Sequence, residues 1–300
     1  MKNKFYILAI DGGGLKGLIA IKILQIIEDI TKKKVTDSFD LISGTSTGGL
    51  IACALAVKNN EGNAKHDLSY VENMYLEAIQ SLLQNGYGSG KETMKLSELI
   101  TRTVERQRIA DTYLPVFVPT YDLNSRRIVV FKTRSAILNE NKNIKLFDVC
   151  RATSAVPQIF PSHPVRYDKQ DLNCADAGWH IKNPAIAAVA EVWKHKSYYS
   201  SAGLKEEDIV LISISTGNFD NGKHNWTTNL YDILPTQYIA TDYITHQKLD
   251  IDLSKLHFLR VDLNFSGERY SFKTLMEIGN KIESLSQDTL FKNTVKKLFE

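Results

Sequence analysis

A serine stands at the centre of the stretch ISGTSTGG, which runs from Ile42 to Gly49. A serine hydroxyl is a weak nucleophile unless it is exposed, oriented and next to a base. Gly44 and Gly48 lie two residues on either side of Ser46 and give the room that a sharp strand-to-helix turn requires. The pattern predicts a nucleophile elbow with Ser46 as the nucleophile, and a glycine-rich turn with an N-cap serine is the alternative.

A second glycine-rich stretch, DGGGLKG, runs from Asp11 to Gly17. Backbone amides without side chains can approach a ligand closely, and acyl transfer needs such donors where a carbonyl oxygen becomes an oxyanion. Gly12, Gly13 and Gly14 are therefore candidate oxyanion-hole residues. The alternative is a phosphate-binding loop of an ATPase or kinase that uses Asp11. Walker A spacing is absent, and the G-x-G-x-x-G match lacks its acidic residue after a second strand.

Asp176 is the candidate base. It follows a short apolar segment and precedes Ala177 and Gly178, which predicts a corner between a strand and a turn. An aspartate at its usual pKa of about 3.9 is a weak base, and partial burial raises that pKa. His246 and His257 come late enough for a Ser-Asp-His order, but their surroundings are typical of a helix surface and a strand. A dyad of serine and aspartate is therefore favoured.

Strands and helices must bring these motifs together. The apolar run Phe5 to Ile10 predicts a central parallel strand, and Leu15 to Ile30 has the period of an amphipathic helix. Phe39 to Ser43 predicts another strand, followed by the turn around Ser46 and a helix through Val57. Two such units in succession predict an open α/β sheet.

Further elements follow from the same patterns. Two runs around Asn124 predict a hairpin, and Pro119 in its first strand suggests a place near the sheet edge. The remaining predicted elements are the hairpin strands Val116 to Asp122 and Arg127 to Lys132, helices Lys145 to Ala152 and Pro184 to Trp193, the core strand Asp208 to Ser215, and a helical tail from Thr274.

Composition limits the classes of protein. The chain has 300 residues, 43% hydrophobic and 24% charged, and we interpret residues 1–300 as a single domain. A net charge of +3 is too small to indicate a nucleic-acid polymer as partner, although it assists contact with an anionic membrane surface. Three cysteines without a C-x-x-C pair fit a reducing compartment. The run Leu50 to Val57 is too short to span a bilayer, so a cytoplasmic location is expected.

Four motifs in order, DGGGLKG, GTSTGG, ATSAVP and DAG, resemble those of the patatin-like phospholipases. The resemblance implies a three-layer α/β/α fold with a mainly parallel central sheet. It also implies lipid acyl hydrolysis by a Ser-Asp dyad, here Ser46 and Asp176, without a metal or other cofactor. Lys16 matches the basic position after the glycines. Two departures are Val156, where alanine is usual, and the alanine after Asp176.

The resemblance implies a membrane phospholipid or related acyl ester as substrate, cleaved through an acyl-Ser46 intermediate with peripheral contact to the membrane. The glycine-rich stretch Gly86 to Gly90 is a candidate lid, with a flexible surface loop as the alternative. Trp179, Trp193 and Trp226 are candidate membrane anchors, and core packing is expected for at least two of them.

Single-domain bacterial members of this family include anti-phage effector phospholipases that a cyclic nucleotide switches on. The chain length is compatible with that group, and equally with plain bacterial lipases and secreted effector enzymes. Arg126, Arg127, Arg134 and Arg151 are candidates for a phosphate contact, with an ordinary solvated basic surface as the favoured alternative. A phosphate-binding ATPase or kinase and a non-catalytic lipid-binding module also stay open. The presence of both the serine and the aspartate motif favours an enzyme.

Overall fold

A computed structural model describes residues 4–85, 90–201, 203–217, 226–228, 250–265 and 272–300. The described part of the chain forms a nine-stranded sheet in the order β5-β6-β3-β2-β1-β7-β9-β8, with β4 paired to β3. The strands are β1 (Phe5–Ile10), β2 (Leu41–Gly44), β3 (Val116–Asp122), β4 (Arg127–Lys132), β5 (His163–Tyr167), β6 (Gln170–Ala175), β7 (Ile209–Ile214), β8 (Trp226–Thr227) and β9 (His257–Val261).

The centre of the sheet is parallel. β1 pairs in parallel with β2 on one side and β7 on the other, and β7 pairs in parallel with β9. Antiparallel pairs lie to either side, where β4, β5 and β6 follow β3 and where β8 joins β9. Every residue of β1 and β7 is buried, as expected for parallel strands that helices cover on both faces.

Helices cover both faces of this sheet. Alternate residues of β1 point to opposite faces: Leu8 and Ile10 join the core with α1 and α3, whereas Ile7 and Ala9 pack against α8. The described helices are α1 (Gly17–Thr31), α2 (Val35–Ser38), α3 (Thr47–Leu55), α4 (Leu68–Asn85), α5 (Lys91–Val104), α6 (Thr133–Leu138), α7 (Leu146–Thr153), α8 (Ala185–Lys194), α9 (Lys196–Tyr199), α10 (Phe272–Gln287) and α11 (Thr289–Phe299). The predicted three-layer α/β/α fold is confirmed.

Most predicted elements are present, and the placement of β3 near an edge is wrong. β3 pairs with three strands, namely β2 at its start, β6 at its end and β4 over residues 117–122. Pro119 lies between the residues that pair with β2 and those that pair with β6. Its carbonyl oxygen accepts a hydrogen bond from Thr153 Oγ1 at 2.9 Å. A proline is tolerated here because residue 119 is paired with neither β2 nor β6. Its missing N–H therefore removes no hydrogen bond to either strand.

Several other expectations concern the chain as a whole. No helix within the described ranges is both long and apolar enough to cross a bilayer. Cys53, Cys150 and Cys174 are all free and buried. The candidate lid lies outside the described residues except for Gly90, which precedes α5, and His246 lies outside them as well. The interpretation of residues 1–300 as a single domain stays a prediction.

Candidate active site

Ser46 occupies the turn between β2 and α3. Its backbone has φ 55° and ψ −122°, a conformation that is strained for a serine and typical of a nucleophile elbow. A Cβ atom on Gly44 would lie 2.1 Å from the carbonyl oxygen of Gly48, and a Cβ atom on Gly48 would lie 2.2 Å from that of Ile10. Both glycines are therefore required by the tightness of the turn.

The amide of Ser46 is held by a threonine from another motif. Ser46 N–H donates to Thr153 Oγ1 at 2.9 Å, and that hydroxyl donates in turn to the carbonyl of Pro119. Thr45 Oγ1 donates to the carbonyl of Ile181 at 2.8 Å. The elbow is thus tied to α7, β3 and the loop after Asp176, and its strained backbone is supported from three directions.

The glycine loop runs directly against the elbow. Because Ile10 pairs with Gly44, the two turns leave the sheet side by side. A Cβ atom on Gly12 would lie 3.3 Å from Ser46 Cβ. At Gly13 an added Cβ would lie 2.1 Å from Thr216 Oγ1, so no side chain fits there.

Hydrogen bonds fix one part of this loop and leave another part available. Gly12 N–H donates to the carbonyl of Lys182 at 2.9 Å, and Gly12 C=O accepts from Thr216 Oγ1 at 2.8 Å. Within the described residues, the amides of Gly13 and Gly14 donate to no other group. Two backbone donors without a partner in the described structure therefore follow Gly12, the glycine that approaches Ser46, while the amide of Gly12 is already engaged.

Asp176 follows β6 and lies beside the serine. Its backbone amide donates to the carbonyl of Ala155 at 2.9 Å, and its carboxylate accepts a hydrogen bond from Gly178 N–H. The side chain is buried, with 5% of the residue exposed. Burial raises the pKa of Asp176 above its ordinary value, against the lowering effects of the nearby Ser46 hydroxyl and of the Gly178 amide. The carboxylate is consequently a stronger base than a solvated aspartate.

Ser46 lines an apolar cavity of about 180 Å³. Its walls come mainly from α3, α4, α5 and residues 154–160, and they include Leu50, Leu99 and Phe160. An apolar cavity of about 150 Å³ stays dry and binds benzene, so this space suits part of a hydrocarbon chain. Gly14 also lines it, so the glycine loop and the serine face the same space.

None of the described histidines lines this cavity. His66 contacts the carbonyl of Thr103, and His163 lies 2.9 Å from Asp148. The described geometry therefore brings Ser46 together with an aspartate rather than with an imidazole.

The candidate phosphate contacts do not form one site. Arg126 and Arg127 are exposed at the β3–β4 hairpin. Arg134 donates to Glu191 at 2.7 Å, and Arg151 is buried with its guanidinium 5.8 Å from the ring centroid of Phe160. The expectation of a solvated surface is wrong for Arg151, which is buried, and for Arg134, whose side chain is only 12% exposed and is paired with Glu191.

Two of the three tryptophans pack against the protein and one is exposed, as expected. Trp193 and Trp226 are partly buried, and their ring N–H groups donate to Asp250 and Asp288. Trp179 is 80% exposed.

Sequence reasoning missed three supporting residues. Thr153 lies inside the ATSAVP motif, and Thr216 directly follows the predicted core strand Asp208 to Ser215, so a local signal existed for both. Arg260 binds both carboxylate oxygens of Asp11 at 2.8 and 2.7 Å. No local pattern could reveal this pair, because 249 positions separate the two residues.

The fold agrees with comparisons to known proteins. The sequence profile described as "Patatin-like phospholipase" matches residues 8–189. Patatin-like protein 2 of Arabidopsis thaliana is 29% identical over 72% of this chain and 60% of its own length. Patatin-like protein 4 of the same plant is 26% identical over 93% of this chain and 83% of its own. The chain therefore belongs to the patatin-like phospholipase family.

Among solved structures, VipD from Legionella pneumophila aligns with all of this chain and 67% of its own, at 11% identity and a TM-score of 0.43. That similarity is too low to add to the family assignment. The chain spans about 60% of the length of Patatin-like protein 2, so the relatives contain further sequence outside the shared part.

Replacing Asp176 by asparagine is expected to stabilise the fold at neutral pH. The raised pKa means that folding favours the protonated carboxyl, so stability is lost as pH rises through that pKa. Asparagine keeps the shape without the charge. The increase in the free energy of unfolding should be absent below about pH 3.9. At about pH 7 it should reach about 1 kcal/mol, which corresponds to about 2 °C in Tm. Thermal unfolding of both forms over this range measures it, and an equal or lower Tm for the variant at neutral pH would contradict the burial argument.

Proposed function

We propose that this protein hydrolyses fatty acyl esters of membrane phospholipids, with Ser46 as the nucleophile and Asp176 as the base. The observation that carries the proposal is that a buried carboxylate, Asp176, lies beside the hydroxyl of Ser46, a serine that lines an apolar cavity. Membership of the patatin-like phospholipase family supports the same reaction class.

The reaction then proceeds in two acyl transfers. Ser46 Oγ attacks the ester carbonyl while its proton passes to Asp176, and the C–O bond to the leaving alcohol breaks as that alcohol takes the proton. Water attacks the acyl-Ser46 ester in the second half, gives its proton to Asp176, and the fatty acid leaves as Ser46 Oγ regains a proton. The amides of Gly13 and Gly14 are the proposed donors to the oxyanion, since the amide of Gly12 is bound to Lys182.

The geometry disfavours the phosphate-binding alternative. A kinase or ATPase of that type needs the acid at the end of the first strand to be available for a metal ion or a phosphate-bound water. Both carboxylate oxygens of Asp11 accept from Arg260, and the side chain is buried. The lipid-binding module remains as the alternative that an activity assay must exclude.

Labelling by a fluorophosphonate tests the proposed nucleophile. An activated serine displaces fluoride from the probe, so we expect one adduct per chain for the wild type and none for Ser46→Ala. Asp176→Asn should slow labelling at least 100-fold, since proton transfer to a positioned base contributes about 10²–10⁴-fold. Intact-mass spectrometry measures the adduct. Equal labelling of wild type and Ser46→Ala would exclude Ser46, and liposome binding without any acyl release would favour the lipid-binding module.

Contact with the membrane is the second part of the proposal, and Trp179 supports it. Trp179 follows Asp176 by three residues and is 80% exposed, and its neighbours His180 and Lys182 are exposed too. The same loop touches the elbow and the glycine loop through the carbonyls of Ile181 and Lys182. An amphipathic indole beside basic side chains suits the headgroup region of an anionic bilayer.

Trp179→Ala is therefore expected to lower hydrolysis of anionic phospholipid vesicles about tenfold, because the indole no longer inserts into the interface. Hydrolysis of a water-soluble short-chain ester should stay within about twofold. Leu290→Ala is the matched control, since Leu290 is 66% exposed on α11, and it should change neither rate. A Trp179→Ala variant that hydrolyses vesicles at the wild-type rate would remove Trp179 from the proposal.

Activation by a cyclic nucleotide, and with it a role in anti-phage defence, stays a prediction supported by the resemblance alone. An activator must bind the folded chain, and a ligand at 100 times its Kd stabilises by about 2.7 kcal/mol. One compound in a panel of cyclic mono- and dinucleotides should thus raise Tm by several degrees, with the linear nucleotides as controls. No shift with any of them would remove this prediction.

A further inference from the structure

A buried ion pair joins the start of the glycine loop to a distant strand. Arg260 Nη1 donates to Asp11 Oδ1 at 2.8 Å, and Arg260 Nη2 donates to Asp11 Oδ2 at 2.7 Å. Asp11 is 1% exposed and Arg260 is 5% exposed. Two parallel bonds between a guanidinium and a carboxylate fix both the distance and the plane of the carboxylate.

The guanidinium reaches Asp11 across the intervening strand β7. Ala9 of β1 pairs with Ser213 of β7, and Ser213 pairs with Arg260 of β9. Arg260 Nη1 also donates to Ser213 Oγ at 2.8 Å. One side chain therefore ties together three neighbouring parallel strands where β1 gives way to the glycine loop.

The residues that follow Asp11 depend on where this pair holds it. Asp11 N–H donates to the carbonyl of Ile214 at 3.0 Å, so backbone and side chain of Asp11 are both fixed to β7 and β9. Gly12 is bound next, and the unpaired amides of Gly13 and Gly14 come directly after it. The loop glycines have no side chains of their own to anchor them, so their positions depend on the anchored residues on either side. Asp11 lies before them, and Lys16 after them donates its backbone N–H to the carbonyl of Gly13 at 3.3 Å.

The pair also has an electrostatic consequence. A buried, unpaired carboxylate at Asp11 would oppose the negative charge that develops on an oxyanion nearby. Burial works against the charge on Arg260, yet the attraction of Asp11 leaves the pKa of this guanidinium above its usual value. Arg260 consequently stays charged and neutralises Asp11.

We propose that Arg260 is a positioning residue for acyl transfer, which holds and neutralises Asp11 so that the amides of Gly13 and Gly14 meet the oxyanion. This inference rests on the proposed function. Arg260 itself touches neither Ser46 nor the cavity lining in the described part of the chain.

The test compares Arg260→Lys with the double variant Asp11→Asn/Arg260→Met. Lysine keeps the charge without the two-bond fork, and the double variant removes both charges so that Asp11 is not left as an unpaired carboxylate in the interior. Arg260 Nη2 also lies 3.4 Å from Asp262, but the side chain of Asp262 is 26% exposed and can be solvated in both variants. Loss of one oxyanion donor costs about 10²–10³ in kcat. We expect fluorophosphonate labelling and kcat on a soluble ester to fall about tenfold for Arg260→Lys and about 100-fold for the double variant, with KM within about threefold.

Arg134→Met is the control, because it also removes an ion pair with a buried carboxylate, Glu191 on α8, away from the glycine loop. It should lower Tm without lowering the labelling rate at temperatures well below Tm. Folded Arg260 variants, checked by circular dichroism, that label at the wild-type rate would overturn the positioning role while leaving Ser46 as the nucleophile. A wild-type protein that does not label at Ser46 would overturn the proposed function and this inference together.

Discussion

The close approach of β1 and β2 at their carboxyl ends is the constraint on which the rest of the site depends. Gly48 lies so near the carbonyl of Ile10 that a single methyl group could not be added. The glycine loop after β1 and the elbow after β2 therefore leave the sheet in contact. As a result Gly12 packs against Ser46, and the amides of Gly13 and Gly14, the proposed oxyanion donors, come directly after it. The contact between the glycine loop and the serine turn therefore depends on a packing of backbone against backbone in which only glycine fits.

Two buried carboxylates near these turns are treated in opposite ways. Asp11 is matched by the guanidinium of Arg260, which takes both of its oxygens and cancels its charge. Asp176 accepts a hydrogen bond from the amide of Gly178 and lies beside the Ser46 hydroxyl, both neutral groups, and burial raises its pKa. A carboxylate that is paired with a cation is held as a structural anchor, whereas burial without a cation makes a carboxylate more basic, as the proposed role of Asp176 requires.

The apolar cavity and the polar turns meet at Ser46. Helices α3, α4 and α5 give the cavity most of its hydrocarbon walls, and the carboxyl edge of the parallel sheet gives the hydrogen-bonding groups. Such an edge is where open α/β sheets commonly bind ligands, because strand ends and helix starts converge there. An amphipathic acyl ester suits this boundary, since its chain can lie in the cavity while its carbonyl faces the turns.

The sequence by itself determined the elements and the chemical groups. β1 and the β3–β4 hairpin match their predicted residues because burial and turn signals act over a few residues, and the Ser46 and Asp176 motifs were visible for the same reason. Only the tertiary structure decided that Pro119 lies inside the sheet, that Arg151 is buried, and that Arg260 pairs with Asp11. Hydrophobic pattern tells which residues are buried but not which segments become neighbours. That choice is made by strand order and by the packing of segments far apart in the chain.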